Sequence, residues 1–257
     1  MIYENRDVNQ DEYSLMTAVE DVHWWWCARR EIIAAVIEHY APAPGPAPRK
    51  IIEVGCGTGG NLPMLAGFGD VLGVESESTA IAAIREKYGD RFRLIQHTIP
   101  TRLPERHDVL GMFDVLEHIE DDAAALRWAG EQLVPGGIAV VTVPAFPALW
   151  TEHDEAAHHF RRYTPDSLAR AVPPELEVLH LTCFNAILFP PVALIRRLTR
   201  LLPKRYRPRG TNMKLPPRLL NSVLYRIFRV ERRFVPRMRS PLGVSVLAVL
   251  RRRPDSA

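Results

Sequence analysis

The chain has 257 residues, of which 47% are hydrophobic and 25% charged, with a formal net charge of +3. This composition suits one elaborated α/β domain or two small ones and excludes a disordered or low-complexity chain. Cys27, Cys56 and Cys183 are odd in number, widely spaced and without metal-like pairing, which excludes a disulfide scaffold and points to a reducing compartment.

The small net charge hides an asymmetry. Residues 1–180 hold 15 Lys and Arg against 28 Asp and Glu, whereas residues 181–257 hold 18 against 2. The opening MIYENRDVNQDEY is polar and acidic, unlike a secretory leader, and no apolar run reaches about 18 residues, so no spanning helix is expected. The expected location is cytoplasmic, with the basic tail allowing peripheral attachment to the inner face of a membrane.

Residues 11–40 read as helix interrupted by His23, Trp24, Trp25 and Trp26, with Ile32, Ile33, Val36 and Ile37 at helical spacing toward the core. The tryptophans either close a hydrophobic seam or fold over a ligand as a lid, which makes Trp24 and Trp25 substrate-side candidates. The proline-rich connector 41–48 leads into a strand over 49–54. That strand runs into Glu53-Val-Gly55-Cys56-Gly57-Thr58-Gly59, with Asn61 as an expected helix N-cap and Pro63 in the first turn. Glycines at this spacing let backbone N–H groups approach a ligand. The order differs from the G-x-G-x-x-G of dinucleotide folds, and the acidic residue two positions ahead favours a ligand with a cationic head.

At these residues the chain resembles the class I S-adenosylmethionine-dependent methyltransferases, whose first motif is a strand, an acidic residue and G-x-G-x-G. The H-W-W-W…A-R-R lead-in is similar to a group of bacterial members. The resemblance implies S-adenosyl-L-methionine as cofactor, held by Glu53, Gly55, Cys56, Gly57, Thr58 and Gly59. A strand over 71–74 ends at Glu75, placed to accept both ribose hydroxyls, with Ser76 beside it. Helix 78–88 and strand 91–96 follow. Gln96 and His97 then stand where the family has an acidic or small polar residue near the adenine, so the partner of the adenine amino group departs from the pattern.

Strand 108–113 runs into Phe113-Asp114-Val-Leu-Glu117-His118-Ile, frequent in the same class, which places Phe113 and Asp114 beside the methionine part of the cofactor. Asp114, Glu117 and His118 also have ligand chemistry for a divalent ion, as in some quinone O-methyltransferases; no metal is expected, because the motif is commoner than metal dependence. Helix 123–133 is stopped by Pro135, Gly136 and Gly137, and 138–143 is a buried parallel strand. Residues 144–164 carry too few apolar side chains to be core and many titratable ones. The resemblance makes this stretch the roof of the acceptor site, with Phe146, Arg161 and Tyr163 toward substrate. His118, His153, His158 and His159 are candidate bases without a ranking, and the absence of a second ligand pair argues against zinc.

Strands at 176–184 and 242–250 flank a basic insertion. In it, Leu194, Ile195, Leu198, Leu201 and Leu202 alternate with Arg196, Arg197 and Arg200 as an amphipathic helix, and Lys204, Arg205, Arg207 and Arg209 extend the charge. Residues 185–210 suit an anionic membrane surface, or else pack on the acidic half or a second subunit. Stacking aromatics and a recognised nucleic-acid module are missing, so nucleic acid is not an expected partner.

The expected fold is an α/β, Rossmann-like open sheet of seven mostly parallel strands. Its expected parts are a helical cap and linker (1–48), a cofactor-binding core (49–184), the basic helical insertion (185–240) and a last strand with tail (241–257). The expected activity is methyl transfer to an oxygen of a small-molecule or lipid-linked acceptor, with carbon or nitrogen transfer to a specialised metabolite, or a non-catalytic membrane- or partner-binding protein, as alternatives.

Overall fold

The computed structural model describes residues 10–43, 45–101, 103, 105–201 and 214–254; Leu202, Lys204, Arg205, Arg207 and Arg209 of the expected basic run lie outside them. Seven strands form one sheet: β1 (Arg49–Val54), β2 (Gly69–Glu75), β3 (Arg93–Gln96), β4 (His107–Phe113), β5 (Leu133–Pro144), β6 (Leu176–Phe184) and β7 (Ser245–Arg252). Their order is β3-β2-β1-β4-β5-β7-β6. β3 to β5 are parallel, and β7 lies antiparallel between β5 and β6.

The strands are buried on both faces, so adjacent residues serve opposite cores. Ile51, Val71, Val109 and Val140 join one cluster with α2 (Trp24–Tyr40), α3 (Leu62–Leu65), α4 (Ser78–Tyr88) and α9 (Arg218–Arg229). Ile52, Leu72, Leu110 and Val141 join the other with α5 (Asp122–Glu131) and α7 (Pro165–Ala171). Each such Ile or Leu contributes about 1.5–3 kcal/mol by leaving water. The order reverses between β1 and β4, and the loops leaving their carboxyl ends bound a crevice, the usual ligand position in open α/β sheets.

Several expected boundaries shift. The N-terminal helix is two, α1 (Gln10–Val19) and α2, and the tryptophans open the second. His23 caps α2, its Nδ1 accepting from the Trp25 N–H at 3.2 Å. Asn61 stands at the N-cap of α3 as expected but makes no capping bond with its side chain; the amide instead donates to Glu53 Oε1 at 2.7 Å. Pro135, Gly136 and Gly137 lie inside β5, where extra residues bulge out against β4, so the strand begins at Leu133. Residues 144–164 are partly core: Leu149 and Tyr163 are buried, as are Asp154 and Arg162. Pro190 and Pro191 occupy the first turn of α8 (Phe189–Leu201), where the missing N–H groups break no helical bond.

The insertion divides in two. α9 packs on α2: Phe228 is fully buried beneath Trp25, stacked at 5.2 Å, and Trp24, edge-on at 5.9 Å. Glu31 receives Tyr225, Arg229 and Arg232. α8 buries no residue; Arg196 and Arg200 tether it to the backbone carbonyls of Leu149 and Trp150 at 2.9 Å each. Among the described residues no helix is long and apolar enough to cross a membrane.

Candidate active site

The loop after β1 is held against β2, with the Gly55 N–H donating to the Val74 carbonyl at 2.8 Å. Gly55 and Gly57 both have positive φ, at 64° and 53°. Their roles differ. A Cβ on Gly55 would lie 2.6 Å from Val115 Cγ2, so this glycine permits packing of the β4 loop. A Cβ on Gly57 would meet only Met16 Cε at 3.8 Å, and Gly57 lines the cavity described below, so its bare backbone forms a cradle. Glu75 ends β2 and braces that cradle: Oε2 accepts from the Gly57 N–H at 2.7 Å, and Oε1 accepts from the N–H groups of Ser76 and Glu77.

Two further carboxylates support the loop. Glu20, buried after α1, accepts from Thr58 Oγ1 at 2.7 Å and pairs with Lys87 at 2.8 Å. Glu53 is fully buried with one oxygen unpartnered, and burial pushes its carboxyl up to about 8. In this state it is mostly protonated at neutral pH, so it adds little negative charge to the cleft.

Across the crevice, Asp114 directly follows β4 at φ 56°, a strained value for a residue other than glycine. Its carboxylate pairs with Arg29 at 2.8 Å and accepts from Thr142 Oγ1 at 3.3 Å. Arg29 is buried and its guanidinium also donates to Thr142, so α2, β4 and β5 meet at this ion pair. Glu117 is buried nearby with Oε2 unpartnered, and burial together with the Asp114 charge holds its carboxyl well above the ordinary range.

Over this floor stand three histidines. Asp154 sits in the capping box of α6 (Glu152–Ala156) and is gripped by Arg162 through two bonds at 2.7 and 2.9 Å. Hydrogen bonds from His159 and Arg162 hold its carboxyl far below the ordinary range despite burial. Asp154 Oδ1 lies 2.9 Å from His159 Nδ1. An ionised carboxylate only accepts, so in neutral His159 the proton resides on Nδ1 and Nε2 keeps a lone pair. His118 packs edge-to-face on His159 at 4.6 Å, and burial pushes its imidazole down to about 3, with the neighbouring His159 adding to the effect. His153 is likewise lowered by burial. Ligand atoms of Glu117, His118 and His159 lie within 4.8 Å of one another, a donor set with the chemistry to hold a cation.

Loop, floor and roof enclose a cavity of about 760 Å³. The expected residues Trp24, Trp25, Gly55, Cys56, Gly57, Glu75, Ser76, His97, Phe113, Asp114, His118, His153 and His159 line it. The others stand elsewhere. Glu53, Thr58 and Gly59 are not in its wall, and Thr58 is turned to Glu20. Gln96 is exposed, its amide donating to the Ser76 carbonyl. Phe146 lies beside Phe189 at 5.8 Å, and His158 is exposed at the end of α6. Arg161 pairs with Asp122 at 3.0 Å, and Tyr163, buried in the second core, donates to the same carboxylate at 2.9 Å. Both are engaged in joining the roof to α5, away from the cavity.

Sequence reasoning missed Arg29, Glu20, Arg196 and Asn221. Arg29 carried a faint signal, a charge within the apolar helix face at a spacing shared with Ile32, Ile33 and Val36. Asn221 had none: its side chain accepts from the Trp24 N–H at 3.0 Å and donates to the Val22 carbonyl at 2.8 Å, closing the α1–α2 break from 197 residues away.

Comparison with known proteins agrees with this architecture. A "probable S-adenosylmethionine-dependent methyltransferase" of Mycobacterium tuberculosis is 28% identical over 127 residues, 48% of this chain and 44% of that protein. A ubiquinone biosynthesis O-methyltransferase of Aliivibrio fischeri is 29% identical over 96 residues, 35% of this chain and 41% of that protein. The chain thus spans less than half the length of these curated relatives. Among solved structures, the plantazolicin methyltransferase BpumL in complex with SAH shares the fold at a TM-score of 0.60 and 12% identity, covering 96% of this chain and 92% of that one. The N-methyltransferase NodS of Bradyrhizobium japonicum, in complex with S-adenosyl-L-homocysteine, does so at 0.55 and 15%, covering 96% and 94%. A family model described as a methyltransferase domain matches residues 25–173, from the tryptophan cluster through α7, and the chain belongs to that family.

Proposed function

We propose that this protein is an S-adenosylmethionine-dependent methyltransferase acting on an oxygen of a small-molecule or lipid-linked acceptor, with His159 as general base. The observation that carries the reading is one cavity walled on one side by the Gly57 cradle and on the other by an Asp154-oriented imidazole.

The cofactor fits the residues present. The Gly57 backbone leaves room that a side chain would fill, and Glu75 Oε2, which accepts from the Gly57 N–H, retains acceptor capacity for a ribose hydroxyl. The loop backbone at Gly55–Gly57 would hold the methionine part, with Asp114, while Ser76 and His97 would border the adenine. When bound, S-adenosylmethionine supplies an electrophilic methyl group on a sulfonium.

The chain's own residues then position, shield and deprotonate. Trp24 and Trp25, fixed on Phe228, cover the cleft and restrict water. Asp154, itself locked by Arg162, fixes the His159 ring so that Nε2 takes the acceptor hydroxyl proton. His118, kept neutral by burial, does not compete as a cation beside the dyad. Positioning supplies several kcal/mol of barrier reduction, and a general base adds about 10²–10⁴-fold.

The test is calorimetric binding of S-adenosylmethionine followed by a methylation assay over phenols, sugars and lipids with product mass as readout. Expected are cofactor binding and a product heavier by one methylene equivalent, with His159→Gln losing about 10²–10⁴-fold in kcat at unchanged cofactor affinity. Absence of cofactor binding would overturn the reading, and transfer to nitrogen or carbon with His159→Gln fully active would overturn its oxygen-directed part.

A further inference from the structure

The mouth of the cavity carries a feature that methyl transfer does not require. Val192, Ile195, Arg196 and Thr199 of α8 line the cavity, and so do Lys214 and Pro216, which lead into α9. On the other side of the same helix, Leu194, Leu198 and Leu201 are 57%, 54% and 78% exposed, and Ile195 at the mouth is 60% exposed. α9 repeats the pattern: Tyr225 and Phe228 face α2, while Leu219, Leu220 and Val223 form a stripe that is 80%, 49% and 42% exposed. With Leu215, eight of the seventeen exposed large apolar side chains of the described residues fall between 194 and 223. Such concentration is not needed for the core, because α9 already buries its opposite face and α8 is held by Arg196 and Arg200.

The charge around these stripes selects an occupant. Arg197, Arg218 and Arg226 are exposed on the same two helices, and the chain beyond residue 180 holds 18 Lys and Arg against 2 Asp and Glu. A like-charged second copy of this surface would be repelled, and a neutral apolar groove would leave the cations without purpose. Exposed leucines flanked by arginines match the interfacial region of a bilayer with anionic headgroups, where the apolar stripe enters the acyl boundary and guanidinium groups remain with phosphates.

We propose that α8 and α9 form a docking surface for an anionic lipid bilayer, placing the mouth of the cavity at the membrane. Docking is independent of the methyl-transfer reading and is measured without turnover. The full-length protein is sedimented with vesicles of phosphatidylcholine alone or with about 30 mol% phosphatidylglycerol, at low and high salt. Tighter binding to the anionic vesicles, weakened by salt, is expected, with Leu198→Glu and Leu219→Glu each reducing it about tenfold or more and Arg197→Ala about fivefold. Melting temperature and S-adenosylmethionine affinity serve as controls; these positions lie outside the cavity wall, so both are expected to hold. Absence of sedimentation with anionic vesicles at low salt, or equal sedimentation of the leucine variants that keep their melting temperature, would overturn the proposal. So would a dimer by light scattering that Leu198→Glu dissociates, because a second copy would then be the occupant.

Discussion

A methyl group added at Gly57 would meet only the tip of Met16, yet the residue sits at φ 53° in the cavity wall. Gly57→Val is therefore expected to weaken S-adenosylmethionine binding about 100-fold, about 2.7 kcal/mol, while the protein stays folded by circular dichroism. Glu53 gives the opposite kind of test, because its role is read through pH. Its folded value near 8 lies above its ordinary 4.5, so its stabilisation is full below about pH 4.5 and is lost as pH rises through about 8. Glu53→Gln keeps the shape and removes the titration. The melting temperature of the variant relative to the wild-type protein is expected to climb by several degrees between pH 6 and pH 9, measured without ligand. A constant difference across that range would show that Glu53 is ionised in the fold.

The seam between α2 and α9 joins the tryptophan cap to the far end of the chain. Phe228→Ala removes the ring beneath Trp24 and Trp25 and is expected to cost about 3–5 kcal/mol in chemical denaturation. Asn221→Ala unpins the start of α2 and is expected to cost about 1–3 kcal/mol and to weaken cofactor binding, since Met16 and Glu20 lie just before that break. The strands β1, β4 and β6 were legible from sequence because apolar runs bounded by Gly, Pro and charged residues have a direct physical cause. The glycine loop was legible for the same reason. The roof was not: Asp154, Arg162 and Tyr163 are residue types that water would normally surround, and only their mutual pairing allows burial. The choice of His159 over His158 depended on one carboxylate 2.9 Å away, which neither periodicity nor composition records.

At the scale of the whole molecule, the family match ends at residue 173, but the sheet does not. A fragment of residues 25–173 would lack β6, β7 and α9, leaving β5 as an open hydrophobic edge and Trp25 without Phe228. It is expected to aggregate or to melt without a cooperative transition, and a cooperative, soluble fragment would show that the C-terminal elements are an accessory layer.

The position of β7 between β5 and β6 also has a consequence in time. Phe184 leaves the ribosome long before Ser245, and roughly sixty residues at about 5–20 per second amount to about 3–12 s. During that interval β6 has no strand to pair with and the edge of β5 is bare, and the ring that closes the tryptophan seam, Phe228, is made only late in it. The nascent chain thus passes through a state in which β5 is open on one side until the sheet is finished from its interior.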